Sequence, residues 1–350
     1  LVGGLVDEME AAGIRTLGPR KNAAVLEGSK AFSKDLMKKY HIPTAAYENF
    51  DNAQDAIAYL ENARFPIVLK ADGLALGKGV LICQTLEEAK DGVKSIMLEK
   101  QFGSAGNKLV IEEFMTGREV SVLSFVYGKT IKTMTSAQDH KRAMYGDKGL
   151  NTGGMGTFSP SPFYTEEVDA FCQKNIYQKT VDAMAAEGRE FKGIIFFGLM
   201  LTGDGPKVLE YNARFGDPEA QVVLPRMQND MIEVMEACID GRLGEIDLRF
   251  EDNAAVCVVL ASEGYPVKYG KGYCIRGLEN FRGKDGYYCF HAGTKQTEEG
   301  IVTNGGRVLG ITAKGRDLQE ARANAYRATE WVEFDNKYMR HDIGKAIDEA

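Results

Sequence analysis

The chain has 350 residues, 44% of them hydrophobic and 27% charged, with a formal net charge of −7. This length suits two or three domains with ample core, and an acidic balance without any long basic run argues against non-specific nucleic-acid binding. No apolar run reaches the ~20 residues that span a bilayer, no signal peptide is visible, and the six cysteines form no Cys-x-x-Cys pair, which points to reduced, mostly buried thiols in a cytoplasmic protein rather than a zinc site or a disulfide framework.

Residues 1–13 pattern as an amphipathic helix and 14–17 as a short strand ending at Gly18-Pro19, with no initiator Met. A helix is predicted over 29–40, stopped by the turn at His41-Ile-Pro43. A strand near 47, helices over 52–62 and 86–98, and strands over 66–70 and 79–83 follow. Phe65-Pro-Ile-Val-Leu-Lys70 is an apolar strand closed by a lysine, and Ala71-Asp-Gly-Leu-Ala-Leu-Gly-Lys-Gly79 is rich in glycine. Such glycines let backbone N–H groups approach a phosphate, with Lys70 and Lys78 supplying charge at either end. The Gly-Lys-Ser/Thr ending of a Walker loop is missing and a strand follows, so this is neither that motif nor a dinucleotide fingerprint. An ordinary hairpin turn is the alternative.

Strand-like runs at 109–111 and 120–125 flank a connection that carries Glu112, Glu113 and Glu119. The backbone of such a connection can read an adenine edge, and a carboxylate beyond it can hold ribose hydroxyls. A polar hairpin with solvated acids is the alternative. After a strand-like run at 131–136, Asp139, His140, Lys141 and Arg142 form a dense charged cluster, in which His140 is open to a structural or a catalytic role. Asn151-Thr-Gly-Gly-Met-Gly156 offers a compact backbone for close approach to small anions, or else a mobile loop.

Helices are expected around 165–187. Residues 193–201 then read as a buried strand, and Thr202-Gly-Asp-Gly205 as the hairpin turn into a second strand. On that second strand Glu210, Asn212 and Arg214 share a face, because side chains alternate with period 2. A carboxylate beside an amide oxygen suits a hard ion such as Mg²⁺, and a guanidinium next to them suits a carboxylate or a phosphate. Gly216-Asp-Pro-Glu219 reads as the start of a helix over 217–239, with Asp217 as N-cap and Pro218 at the first helical position. Further strands are predicted at 254–261, 287–291 and 307–313, with a helix over 317–332.

These motifs, in this order, resemble the ATP-grasp superfamily. Within it, Leu26-Glu-Gly-Ser-Lys-Ala-Phe32, Lys70-Ala-Asp-Gly-Leu-Ala75, Gln138-Asp-His-Lys-Arg142, Asn151-Thr-Gly-Gly-Met-Gly156 and Asn212-Ala-Arg-Phe-Gly-Asp-Pro-Glu219 resemble the glycinamide ribonucleotide synthetase (phosphoribosylamine–glycine ligase) family. Phe290-His-Ala-Gly-Thr294 and Thr303-Asn-Gly-Gly-Arg307 do so as well. The resemblance implies that Lys30 and Lys70 contact ATP phosphates and that the loop with Gly73, Gly77, Lys78 and Gly79 covers them. It implies that Glu112, Glu113, Phe114 and Met115 hold adenine, Glu119 the ribose, and Glu210 and Asn212 the Mg²⁺ or Mn²⁺ ion. Many superfamily members carry a further metal carboxylate on the preceding strand, where this chain has only Gly198, Leu199 and Met200.

The family phosphorylates the glycine carboxylate with ATP and lets the amine of 5-phosphoribosylamine attack the acyl phosphate, a step of de novo purine synthesis. In that chemistry Arg214 is the expected carboxylate or acyl-phosphate partner, Lys141 or Arg142 neutralises the transferred phosphoryl, and Asp139 orients an amine or a cation. Asn151, Thr152, Gly153, Gly154 and Asp217 are expected to bind substrate. The implied fold is α/β, α+β in part: a remnant of an N-terminal Rossmann-like domain at 1–28, an ATP-grasp domain at 29–250 with its lid at about 47–115, and a small C-terminal α+β domain at 251–350. The expected partners are small molecules, glycine and phosphoribosylamine, with no nucleic acid and no membrane, acting on a monomer or weak oligomer. The alternatives are another ATP-grasp carboxylate–amine ligase, a carboxylase related to biotin carboxylase, or a non-catalytic nucleotide-binding module.

Overall fold

The computed structural model describes residues 1–74 and 79–349, and the chain divides into two compact units that interleave along the sequence. Unit 1 comprises Leu1–Thr133, Thr165–Phe215 and Met231–Asp247, and unit 2 comprises Met134–Tyr164, Gly216–Asp230 and Leu248–Ala350. The sheet of unit 2 takes strands from the middle of the chain as well as from its C-terminal part.

Unit 1 holds two four-stranded antiparallel sheets. The first runs Tyr47–Phe50, Leu109–Glu113, Ile67–Ala71, Val80–Cys83. Ile67, Leu69, Ala71, Leu109 and Ile111 face a core packed by the helices Ala53–Leu60 and Leu86–Val93. Strand alternation then puts Val68, Lys70, Val110 and Glu112 on the opposite face. Both helices begin where a side chain accepts an otherwise unpaired N–H: Asn52 from Asp55 N, and Thr85 from Glu88 N. The second sheet runs Gly205–Asn212, Lys192–Thr202, Arg118–Tyr127, Thr130–Thr133. Tyr177 and Tyr211 pack edge-on against Phe197, and the Tyr211 hydroxyl is 2.9 Å from Thr180 Oγ1, which fixes the helical segment 166–186 to this sheet.

Unit 2 is built on a sheet ordered Tyr287–His291, Arg307–Gly315, Ala254–Ser262, Gly156–Ser159, Gln138–Asp139, with Lys337–Tyr338 also pairing with Ala254–Ser262. The helix Leu318–Thr329, capped by Asp317, buries Ala321, Ala325 and Ala328 in the hydrophobic clusters beneath that sheet.

Three sequence expectations need correction. The first helix is only Leu5–Ala11, because Gly4 at φ 96° precedes it as N-cap; residues 14–17 form no strand, and Lys21–Gly28 is a helix instead. The helix expected over 217–239 is broken into Ala220–Val223, a 3-10 turn Leu224–Arg226, and Met231–Ile239. Pro225 lacks the N–H that would continue the ladder, and Gln228 N donates to Arg249 O instead. Asp217 is consequently not an N-cap. Among the described residues no helix is long and apolar enough to cross a membrane, and Cys83, Cys172, Cys238 and Cys257 are buried free thiols.

Candidate functional site

In unit 1 the charged candidates gather on the face of the first sheet opposite its two helices, where Lys70 and Glu112 are buried. Ser29 caps the helix Lys30–Lys39 by accepting from Phe32 N, and its hydroxyl donates to Asp72 at 3.0 Å. Asp72 also accepts from Ala31 N at 3.0 Å. The start of this helix is thus pinned to the residue just past the strand that ends in Lys70-Ala71. Lys30 follows, and its Nζ donates to Gly73 O at 2.8 Å. One turn on, Lys34 lies on the same helix face and reaches Glu112 Oε2 at 3.1 Å. Lys70 Nζ meets Glu112 Oε1 at 3.0 Å and donates to Leu209 O at 3.1 Å.

Burial shifts these groups. Lys34 is pushed down to about 8 by desolvation, against the favourable charge of Glu112. Lys30 is also lowered by burial, opposed first by the carboxylate of Glu210, with Lys70 lowering it further. Lys30, Lys70 and Glu210 therefore share one electrostatic neighbourhood. Sequence reading placed these three; it missed Lys34 and Asp72, although Lys34 was signalled by its i,i+4 spacing from Lys30.

Glu210 and Asn212 lie on one face of Gly205–Asn212, with buried Tyr211 between them on the other. A bulge beside Leu209 sets Glu210 opposite Gly198. A Cβ at Gly198 would stand 3.1 Å from Glu210 Cγ, a steric reason why the neighbouring strand carries no second carboxylate here. Among the described residues no group of three His, Cys, Asp or Glu side chains could hold a metal. A carboxylate with an amide oxygen fits Mg²⁺ or Mn²⁺ when the remaining ligands come from phosphate and water.

Arg214 departs from its expected place. The strand ends at Asn212, and Arg214 lies past it, its side chain 53% exposed, with Nε 3.9 Å from Glu27 Oε1 and a guanidinium N–H donated to Phe215 O. The i, i+2, i+4 argument therefore holds for Glu210 and Asn212 but stops before Arg214. Glu27 also accepts from Ala213 N at 2.8 Å, so it fixes the turn leaving the strand.

On the connection 112–119, Glu113 N donates to Ala46 O and the Glu113 carboxylate accepts from Ala46 N at 3.0 Å. Phe114 is exposed, whereas Met115 packs with Ala45, Met200 and Leu209 into a small apolar patch. Glu119 is half-buried in its strand, opposite Met200. Gly79 O accepts from Ala71 N, closing the base of the glycine-rich loop. Gly77 and Lys78 lie outside the described residues.

Unit 2 holds the remaining candidates. Asp139 sits in a short strand paired with Gly156–Ser159. His140 is structural: Gly344 N donates to its Nε2 at 3.1 Å, its Nδ1 is 3.3 Å from Gly156 O, and burial pushes it down to about 4. The neutral imidazole is thus built into the frame. Arg142 begins a hairpin with Lys148–Asn151 and donates to Gly149 O. Arg340, almost fully buried, grips that hairpin through Arg142 O at 3.0 Å and Asp147 at 2.8 Å.

The 151–154 loop is tied down on both sides. Thr152 donates through both its N–H and its hydroxyl to Lys141 O. Gly153 N donates to the Tyr265 hydroxyl, and Arg307 donates to Gly153 O at 2.8 Å, to Asp217 O at 3.0 Å and to the Asp217 carboxylate at 3.1 Å. Gly154 has φ +114°, and a Cβ there would lie 2.5 Å from Pro218 Cδ, so no larger residue fits. Arg307 closes the Thr303–Arg307 motif but was given no role from sequence, and Tyr265 was not singled out, because their contacts to Gly153 reach across 154 and 112 residues.

Comparison with known proteins agrees with this geometry. Residues 28–220 match the family profile for the phosphoribosylglycinamide synthetase ATP-grasp (A) domain, and 255–346 match that family's C domain. Phosphoribosylamine–glycine ligase of Brucella melitensis is 49% identical over 344 residues, which cover 98% of this chain and 80% of the relative. The enzyme of Halalkalibacterium halodurans is 48% identical, covering 100% of this chain and 81% of the relative. Among solved structures, phosphoribosylamine–glycine ligase of Thermotoga maritima superposes with a TM-score of 0.83 at 35% identity, over 94% of this chain and 81% of that one. The biotin carboxylase domain of Hydrogenobacter thermophilus 2-oxoglutarate carboxylase shares the fold, with a TM-score of 0.73 at 18% identity over 95% of this chain and 72% of that one.

Proposed function

The chain belongs to the phosphoribosylglycinamide synthetase family and is a phosphoribosylamine–glycine ligase of the ATP-grasp type; from that premise we propose how its residues share the reaction. A glycine carboxylate oxygen attacks the γ-phosphorus of ATP, the bond to the β-phosphate oxygen breaks, and ADP leaves. The amine of 5-phosphoribosylamine then attacks the acyl carbon of glycyl phosphate, phosphate departs with the C–O electron pair, and the nitrogen gives up a proton. Both steps depend on positioning and on neutralising charge, not on a protein nucleophile.

Lys30 and Lys70 bind the phosphates, Lys30 being held in place at the start of its helix by the Asp72 anchor. The Glu112–Met115 segment and the patch around Met115, Met200 and Leu209 receive adenine, and Glu119 the ribose. Glu210 and Asn212 would hold Mg²⁺ or Mn²⁺, which when bound supplies charge neutralisation to the phosphate oxygens. Glu27 and Arg214 shape the turn that follows. In unit 2, Lys141 and Arg142 offer cationic charge to an anionic substrate, Asp139 a carboxylate for an amine, and Asn151–Gly154 with Asp217 a backbone-rich surface for a small polar ligand.

The observation that carries this assignment is the placing of two lysine ammonium groups beside the lid loop and the Glu210 strand, Lys30 Nζ on Gly73 O at 2.8 Å and Lys70 Nζ on Leu209 O at 3.1 Å. The test is ADP release measured with glycine and phosphoribosylamine supplied together and singly. Sustained release should require both. Equal release with a different acid in place of glycine would point to another carboxylate–amine ligase.

A further inference from the structure

Two of the charged segments of unit 2 are the legs of one hairpin. Arg142–Met144 pairs with Lys148–Asn151, with Arg142 opposite Asn151, and the turn between them passes through Gly146 and Asp147, both at positive φ. Every residue of the second leg is exposed, and a two-stranded ribbon on its own is marginal in water. Its order comes from the far end of the chain. Arg340, 1% exposed, donates to Arg142 O at 3.0 Å and to the Asp147 carboxylate at 2.8 Å. It is itself set by a planar fork on buried Asp342, Nε and Nη2 each 2.8 Å from a carboxylate oxygen. Asp342 also accepts from Gly146 N at 2.8 Å, and the Tyr338 hydroxyl donates to Ala143 O at 2.8 Å. The Arg142 side chain crosses the hairpin to donate to Gly149 O at 2.9 Å. Where its guanidinium stands thus depends on the turn staying closed.

We propose that Arg340 is a positioning residue for the ligase reaction: by holding both the first leg and the turn of this hairpin, it sets the Arg142 guanidinium for an anionic substrate. The inference rests on the reading of Arg142 as that substrate's cationic contact. A planar guanidinium reaches acceptors in several directions at once, which an ammonium cannot do. The second leg is secured separately, because Thr152 donates to Lys141 O while Arg307 and Tyr265 clamp Gly153. Loss of the Arg340 grip should therefore shift Arg142 and leave that loop in place. Small misplacements of a group that orients substrate are costly to the reaction.

Steady-state ADP release by the whole chain tests this. Arg142→Ala first identifies which of glycine and phosphoribosylamine the guanidinium serves, as the substrate whose KM rises. Arg340→Lys keeps a cation beside buried Asp342 and loses the fork; it should raise that same KM about tenfold, with the KM for MgATP unmoved. In the Arg142→Ala background, Arg340→Lys should add less than about twofold, since the group it positions is gone. A purely structural Arg340 gives a lowered melting temperature with either an unmoved KM or a loss that multiplies with that of Arg142→Ala. Either result overturns the proposal, and so does an equal rise in the KM for MgATP. Should Arg340→Lys fail to fold, Asp147→Asn decides. The Asp147 side chain is 70% exposed and its φ of 53° suits asparagine, so the fold is not at stake. The substrate KM should rise about threefold, and an unchanged KM overturns the proposal. Arg142→Ala separates the two levels. No change in either substrate KM there removes the parent reading and this proposal with it, whereas a weak Arg142→Ala beside a wild-type-like Arg340→Lys removes this proposal alone.

Discussion

The two units assemble their polar groups by different means. In unit 1 the candidates stand on regular elements: Lys70 and Glu112 on one face of a sheet, Lys30 and Lys34 one turn apart on a helix, Glu210 and Asn212 on alternate positions of a strand. Their spacing follows from the 2.0 and 3.6 residue periods. In unit 2 the 151–154 loop has no such frame, and Arg307 and Tyr265 hold it through its backbone. A charge placed by periodicity outside a buried ion pair, as at Glu210, can be changed with little harm to the fold, whereas a loop placed by a distant clamp is as stable as the clamp. Substitutions at Glu210 and Asn212 in unit 1 should therefore alter chemistry before stability, and those at the clamp of unit 2 stability along with chemistry.

The strongest way to break this contrast is Glu210→Gln, which keeps shape and removes charge. Turnover should fall by about 10²–10³-fold while the melting temperature stays near wild type. Retained activity at ordinary Mg²⁺ would make Glu210 a structural residue. Next comes Lys70→Ala. A charge-assisted phosphate contact is worth about 1.5–3 kcal/mol, so ATP affinity should drop by that amount in a titration.

His140 tests the framework side. Its folded value, about 4, lies below the ordinary 6.5, so between those values the unfolded chain binds a proton that the folded chain does not. Stability from this residue is fully present above pH 6.5 and declines as pH falls towards 4. It should cost about 2 kcal/mol at pH 5 relative to pH 7, read by urea unfolding. His140→Gln should flatten that acid limb; an identical limb would assign it to other groups. The smallest effect is expected for Arg307→Lys. Lysine cannot reproduce the planar fork that joins Gly153 to Asp217, so about 1 kcal/mol of stability should go, together with a raised KM for a substrate and no change in ATP affinity. A changed ATP affinity with normal substrate KM would reverse the roles assigned to the two units.

The same contrast explains what was legible in the sequence. Lys70, Glu210 and Asn212 could be singled out because each sits at a periodic position or closes an apolar strand, whereas Lys30 came from the family resemblance. Arg214 was misplaced because the strand stops at Asn212, and where a strand ends depends on tertiary pairing. Asp217 looked like a cap because Asp-Pro often starts a helix, yet its carboxylate pairs with Arg307 and the helix begins at Ala220. The burial of Glu112 between Lys34 and Lys70 was not legible in the sequence, because both lysines lie far from it along the chain.

The interleaving of unit 2 bears on how the polypeptide emerges and how it can be cut. Ala254–Ser262 is buried throughout, carries no charged residue, and has Gly156–Ser159 hydrogen-bonded to one edge and Arg307–Gly315 to the other. During synthesis Gly156–Ser159 leaves the ribosome about a hundred residues before that partner exists. A fragment that starts at 248 lacks it altogether, and leaves a long uncharged strand with one edge open to any other chain. Such a fragment should aggregate where the intact polypeptide does not, and supplying residues 134–164 in trans should suppress it.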